Sequence, residues 1–163
     1  MTEEHSINIS YTTCEVIDLP EQEQMLVKLA AEAEERAYAV YSGFRVGAAV
    51  LLDSGEIVTG NNQENVAYPS GLCAERVALF SAMSRFPQAG IQTIAVTVDA
   101  ERFQMVEPVP PCGACRQVMA EYEIRQQSPI KVLLAGKNGK VICIRCIVDL
   151  LPFMFQADGL KLT

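Results

Sequence analysis

The sequence predicts an α/β fold, a single layered domain in which helices cover a mixed sheet. Two observations carry that prediction. Stretches with apolar residues at helical spacing alternate along the chain with short β-branched, apolar runs, as helices interleaved with strands do. The 163 residues contain no repeat, linker or low-complexity tract that would divide them. Residues 1–163 therefore read as one domain, with 1–19 as an N-terminal tail. A chain of this size buries roughly two-thirds of the surface it exposes when unfolded, so it needs no disulfide staples. Half its residues are hydrophobic and a fifth charged, which is ordinary for a globular chain.

Residues 1–19 show no clear period beyond a short extended piece at 8–12. From Leu19-Pro20 the pattern changes, and Leu26, Leu29, Ala30, Ala33, Ala37 and Val40 recur at helical spacing. Pro20, Glu21 and Glu23 suit a first helical turn, where a missing N–H is harmless and negative charge meets the positive dipole end. A helix is predicted over 20–40. Tyr41-Ser42-Gly43 breaks it. The apolar run 44–52 reads as a strand, Asp53-Ser54-Gly55 as a turn, and 56–60 as the hairpin partner. Asn61-Asn62-Gln63-Glu64-Asn65 is too polar for a buried strand, and Pro69-Ser70-Gly71 marks a loop. Cys73 opens a helix that runs to about 84 through Val77, Leu79, Phe80 and Met83. Residues 92–98 are β-branched and alternating, hence a strand. Pro108, Pro110 and Pro111 stiffen a loop, and a third helix follows over 112–123. Strands at 130–135 and 140–144 flank a turn at 136–139. A short helix at 147–151 stops at Pro152, ahead of Phe153 and Phe155.

Composition excludes several function classes. A net charge of −7 and the lack of any basic cluster argue against nucleic acid, whose binders neutralise phosphates with Lys and Arg. A small, weakly charged substrate is expected. Residues 1–10 are polar and acidic, unlike a secretory signal, and no apolar run approaches a membrane span. The six cysteines are expected in a reducing cytoplasm, where close spacing points to metal or catalysis rather than disulfides. The one histidine, His5, lies in the tail. A Ser-His-Asp or Cys-His arrangement needs a rigidly placed base, so a metal site here would rest on thiolates or carboxylates.

Two segments carry the chemistry: Cys73-Ala74-Glu75-Arg76, and Pro111-Cys112-Gly113-Ala114-Cys115. Each opens a predicted helix, where unpaired N–H groups and the dipole favour an anion and lower a thiol's pKa. Cys112 and Cys115 are one helical turn apart and share a face. With Cys73 they can hold one zinc ion and leave its fourth position open, as a catalytic site requires. Glu75, two residues beyond Cys73, is placed to reach a water there without ligating the metal. Cys-x-Glu followed by Pro-Cys-x-x-Cys is the pattern of zinc deaminases. Arg76 and Arg116 are expected to offset the negative charge of three thiolates by hydrogen bonding to sulfur. Cys143 and Cys146 fall in or beside a strand, where positions three apart face opposite ways. They and Cys14 are read as structural.

Taken together, these motifs resemble the small homotetrameric cytidine deaminases. The resemblance covers about 41–155 and includes Tyr41-Ser42-Gly43-Phe44-Arg45-Val46-Gly47, Gly60-Asn61-Asn62-Gln63-Glu64-Asn65, both cysteine segments and Leu150-Leu151-Pro152 ahead of Phe155. It implies a three-layer α-β-α fold with a mixed five-stranded sheet. It also implies hydrolytic deamination of cytidine and 2′-deoxycytidine to the uridine forms and ammonia, in pyrimidine salvage. One Zn²⁺ per chain is implied on Cys73, Cys112 and Cys115, with Glu75 moving the proton. The Ala74 N–H is expected at the base O2, Phe44 against the base, and Asn62 and Glu64 on the ribose 3′-hydroxyl. Tyr68 and Phe155 are expected to reach a neighbouring subunit's site, so that active sites are shared. A deaminase of a modified aminopyrimidine nucleoside is the nearest alternative. A non-catalytic zinc module would recruit a fourth protein ligand.

Overall fold

Alternate residues of a strand face opposite sides of its sheet, and here both sides are apolar through the middle of the sheet. The computed structural model describes residues 1–102 and 105–156. Its strands are β1 (Tyr11–Glu15), β2 (Phe44–Leu52), β3 (Ile57–Asn61), β4 (Ile91–Ala100), β5 (Lys131–Ala135) and β6 (Lys140–Ile144). They lie in the order β1-β6-β5-β4-β2-β3. β4 and β5 run parallel and every other neighbouring pair antiparallel, so the sheet is mixed as expected.

The helices are α1 (Glu21–Glu34), α2 (Ala74–Arg85) and α3 (Gly113–Gln126). On one side of the sheet, Ala49, Leu51, Ala95 and Leu133 pack with Leu26, Val27 and Ala30 of α1. On the other, Val50, Ile94, Val96 and Leu134 pack with Ala78, Leu79 and Ala82 of α2 and with Met119 and Ala120 of α3. The result is three layers, with the two cysteine-bearing helices on the same face. Two glycines set how closely helices approach. A Cβ on Gly47 would lie 1.9 Å from the Ala30 carbonyl oxygen, and one on Gly60 would lie 2.5 Å from the Ala78 nitrogen. α1 rests on β2 and α2 on β3 by backbone contact.

Two expectations need correction. The sheet has six strands where five were implied, and the sixth, β1, lies in the segment expected to be a tail. β1 is an edge strand, exposed at every position but the half-buried Cys14, so it has no alternation for a sequence pattern to show. The ladder to β6 holds it, with Tyr11 opposite Ile144 and Glu15 opposite Lys140. The helix predicted over 20–40 ends at Glu34. Arg36 and Ala37 donate to the Ala33 and Glu34 carbonyls in a tighter turn. Tyr38 N–H then donates to the Asn62 carbonyl at 3.0 Å, and Glu64 N–H to the Tyr38 carbonyl at 2.8 Å. The loop after β3 takes the hydrogen bonds that another helical turn would have used. Among the described residues no helix is long and apolar enough to cross a membrane.

Candidate metal centre

Cys73 is the residue that caps the start of α2, and Cys112 caps the start of α3. β4 separates these helices in sequence and returns the chain so that both starts lie over one face of the sheet. Cys115 is the third residue of α3 and fully buried, whereas Cys73 is half-buried and Cys112 exposed. The three Sγ atoms lie within 4.8 Å of one another, and those of Cys73 and Cys112 are 3.8 Å apart. Tetrahedral zinc with Zn–S bonds of about 2.3 Å requires S···S separations of about 3.8 Å. The donor set therefore fits zinc in both chemistry and spacing. Among the described residues the trio stands without a fourth Cys, His, Asp or Glu ligand.

The thiols also influence one another. Hydrogen bonding from Cys115, opposed by burial and reinforced by Arg76 and Cys112, lowers Cys73 to about 5. Cys115, on the other side of that bond, is pushed up. The Cys73 thiol gives up its proton readily, whereas that of Cys115 needs a compensating cation, which is how metal binding becomes linked to thiol deprotonation. Arg76 supplies part of the compensation, its Nη2 donating to the Cys73 sulfur at 3.7 Å. Arg116 does not serve the sulfurs as expected. Its Nε donates to the Pro111 carbonyl at 2.8 Å and its Nη1 to the Leu150 carbonyl at 3.0 Å. It braces the ligand loop against the C-terminal segment.

Glu75 follows one position into α2 and is 4 % exposed. Burial raises its carboxyl above the usual range, and the charge of Cys73 adds to that shift. Beside it opens a cavity of about 640 Å³, lined among others by Phe44, Asn62, Glu64, Tyr68, Cys73, Glu75 and Cys112. Val96, Val98 and Val109 give it an apolar wall, with Pro110 and Pro111 at the edge. Most of the residues expected to bind substrate are thus gathered at one opening. Ala74 is buried at the first position of α2, where its N–H has no acceptor within the helix.

The Asn62 side chain is committed to β2. Its Oδ1 accepts from Val46 N–H at 2.7 Å and its Nδ2 donates to the Phe44 carbonyl at 2.8 Å. The amide adds a rung beyond the β2–β3 ladder and so fixes the start of β2. Glu64 accepts from Tyr41 N–H, Ser42 N–H and the Ser42 hydroxyl. Burial opposes ionisation there, but these hydrogen bonds outweigh it and hold the carboxyl below its usual range. Tyr68 is 76 % exposed and meets Tyr41 edge to face at 6.1 Å between ring centres. Phe155 does not line the cavity of its own chain. It is 71 % exposed, and its backbone is held at both N–H and C=O by the Gln117 side chain. Glu123 is not singled out by the sequence, Ser42 stands there only as part of the turn before β2, and Gln117 only as a residue following the second cysteine segment. For Ser42 a signal existed, since a serine two residues before a strand start commonly caps that turn.

Residues 20–128 match the model of the cytidine and deoxycytidylate deaminase zinc-binding region. The cytidine deaminase of Halalkalibacterium halodurans is 44 % identical over 138 residues, covering 85 % of this chain and 97 % of that protein. The cytidine deaminase of Sporosarcina psychrophila is 46 % identical, covering 85 % and 94 %. Among solved structures, the cytidine deaminase from Burkholderia pseudomallei superposes with a TM-score of 0.71 at 40 % identity. That match covers 81 % of this chain and 98 % of the other.

Proposed function

The chain belongs to the cytidine and deoxycytidylate deaminase zinc-binding family, and from that premise we propose that it hydrolyses cytidine and 2′-deoxycytidine to uridine and 2′-deoxyuridine, with release of ammonia. The observation that carries the reading is a buried carboxyl, Glu75, set beside three clustered thiols, two of which, Cys73 and Cys112, line the same cavity as Glu75. Cys73, Cys112 and Cys115 would hold one zinc ion, which supplies the Lewis acidity that activates water near neutral pH.

The chain's own residues do the rest. Glu75 takes a proton from the attacking water, delivers it to N3 of the pyrimidine, and helps the 4-amino group leave as ammonia. A carboxyl whose burial favours the neutral form suits a group that must both accept and return a proton. The Ala74 N–H, free at the helix start, donates to the base O2. Phe44 packs on the base, and Asn62 and Glu64 receive the ribose 3′-hydroxyl. Arg76 steadies the charge on the Cys73 sulfur.

The exposed ring of Phe155, held by its backbone, and the exposed Tyr68 support a homotetramer in which each site borrows from its neighbours. The six unpaired cysteines accord with a cytoplasmic enzyme of pyrimidine salvage acting as one domain over 1–163. In the test, purified zinc-loaded protein is mixed with each nucleoside, and loss of cytosine absorbance is followed together with ammonia release. Turnover of both is expected. No turnover of either would overturn the proposal, and sedimentation as a monomer with full activity would remove the shared site.

A further inference from the structure

The turn between α1 and β2 does more than join them. Three donors converge on the Glu64 carboxylate: Tyr41 N–H to Oε2 at 2.7 Å, Ser42 N–H to the same oxygen at 3.3 Å, and the Ser42 hydroxyl to Oε1 at 2.5 Å. The Ser42 oxygen in turn accepts from Phe44 N–H at 2.9 Å. A hydroxyl has one proton to give. With Phe44 occupying a lone pair of Ser42, that proton is directed at Glu64, and a hydroxyl-to-carboxylate bond is among the stronger neutral-to-charged kinds. One small side chain thereby links Phe44, which lines the cavity, to Glu64, which lines it too.

The two carboxylate oxygens are left unequal. Oε2 accepts two backbone donors, whereas Oε1, among the described residues, accepts only the Ser42 hydroxyl and keeps capacity for one more. From this geometry we infer that Ser42 is a positioning residue for sugar recognition: its hydroxyl fixes the Glu64 carboxylate so that Oε1 is the atom that accepts the ribose 3′-hydroxyl. The inference rests on the reading of Glu64 given above, and adds to it which oxygen binds and what aims it. Without the Ser42 hydroxyl, Glu64 would be held through Oε2 alone and free to pivot. Phe44 N–H would also lose its bond to Ser42, loosening the strand start that carries the ring.

The test compares 2′-deoxycytidine with 2′,3′-dideoxycytidine, which differ only in the 3′-hydroxyl. kcat and KM are measured for the zinc-loaded wild type, Ser42→Ala, Ser42→Thr and Glu64→Ala. Ser42→Ala is expected to lower kcat/KM for 2′-deoxycytidine about tenfold, mainly through KM, as loss of a hydrogen bond to a charged group would. The dideoxy substrate should change far less, and Ser42→Thr should restore the preference. Equal losses on both substrates would show Ser42 to be merely structural and overturn the inference. If Glu64→Ala erased the 3′-hydroxyl preference while Ser42→Ala kept it, the inference would fail and the Glu64 reading would stand. If Glu64→Ala left the preference intact, the sugar reading itself would fail and take the inference with it. Zinc content and melting temperature, checked for each variant, separate these outcomes from misfolding.

Discussion

Arg76 donates to the Cys73 sulfur, while its Nε lies buried without a protein partner. Three thiolates on a divalent ion leave one net negative charge, and a cation bonded to a sulfur offsets it. Arg76→Ala should weaken zinc binding about 10–100-fold, as loss of a ligand's supporting partner does elsewhere, measured by competition with a chromogenic chelator. Arg116→Ala should leave zinc affinity largely unchanged and lower thermal stability instead, because its bonds go to the Pro111 and Leu150 carbonyls. Glu123, 7 % exposed, accepts from Ile130 N–H at 2.7 Å, Ile147 N–H at 2.8 Å and Val148 N–H at 3.1 Å. Glu123→Ala would strand those donors in the interior, and chemical denaturation should show a loss of about 3 kcal/mol or more. Each half of the thiol cluster was legible in sequence because it is local, Cys73 with Glu75 two residues on and Cys112 with Cys115 three residues on, each at a helix start. The bonds of Ser42, Glu123 and Arg116 were not, because each reaches a partner far along the chain, 22, 24 and 34 residues away, and Arg116 is expected from sequence at the sulfurs instead.

At the scale of elements, α2 can place Cys73 and Glu75 only if it lies flush on β3. Gly60 permits that, and a methyl group there would sit 2.5 Å from the Ala78 nitrogen and 2.8 Å from the Ala74 carbonyl oxygen. Both neighbours are backbone, so the whole helix must move. Gly60→Ala should cost roughly 3 kcal/mol, at the upper end of overpacking effects, and should weaken zinc binding, since Cys73 travels with α2. Denaturant titration and zinc competition on the same preparation would show both losses together. The central strands were read from sequence closely: β2 matched, β5 differed by one residue and β4 by two at most. Their signal is an apolar β-branched run between turns. α1 was overextended because Ala37 and Val40 sit at helical spacing, yet Val40 is 60 % exposed and the backbone there bonds to the loop after β3. A hydrogen bond to a distant loop leaves no periodic trace.

For the molecule as a whole, the layered plan was legible and the sheet's outer edge was not. β1 contributes little burial and acts by covering β6, whose edge would otherwise present unpaired backbone groups. Removal of residues 1–10 should leave the melting temperature unchanged, whereas removal of residues 1–15 should lower it and promote aggregation, visible by light scattering. Equal behaviour of the two truncations would mean that β6 tolerates an open edge. The two helix starts, one on either side of β4 in sequence, converge on a single face only because β4 lies between β2 and β5 in the sheet. That crossing brings a Cys-Ala-Glu segment and a Cys-x-x-Cys segment, 39 residues apart from Cys73 to Cys112, to within 3.8 Å at sulfur. The most direct measurement pairs zinc content with cytidine turnover in Glu75→Ala. Metal content should match the wild type while the rate falls about 10²–10⁴-fold, the usual contribution of a positioned proton carrier. A variant that kept its zinc and turned over at full rate would contradict the role of Glu75 and, with it, the reading of this cavity as a deaminase site.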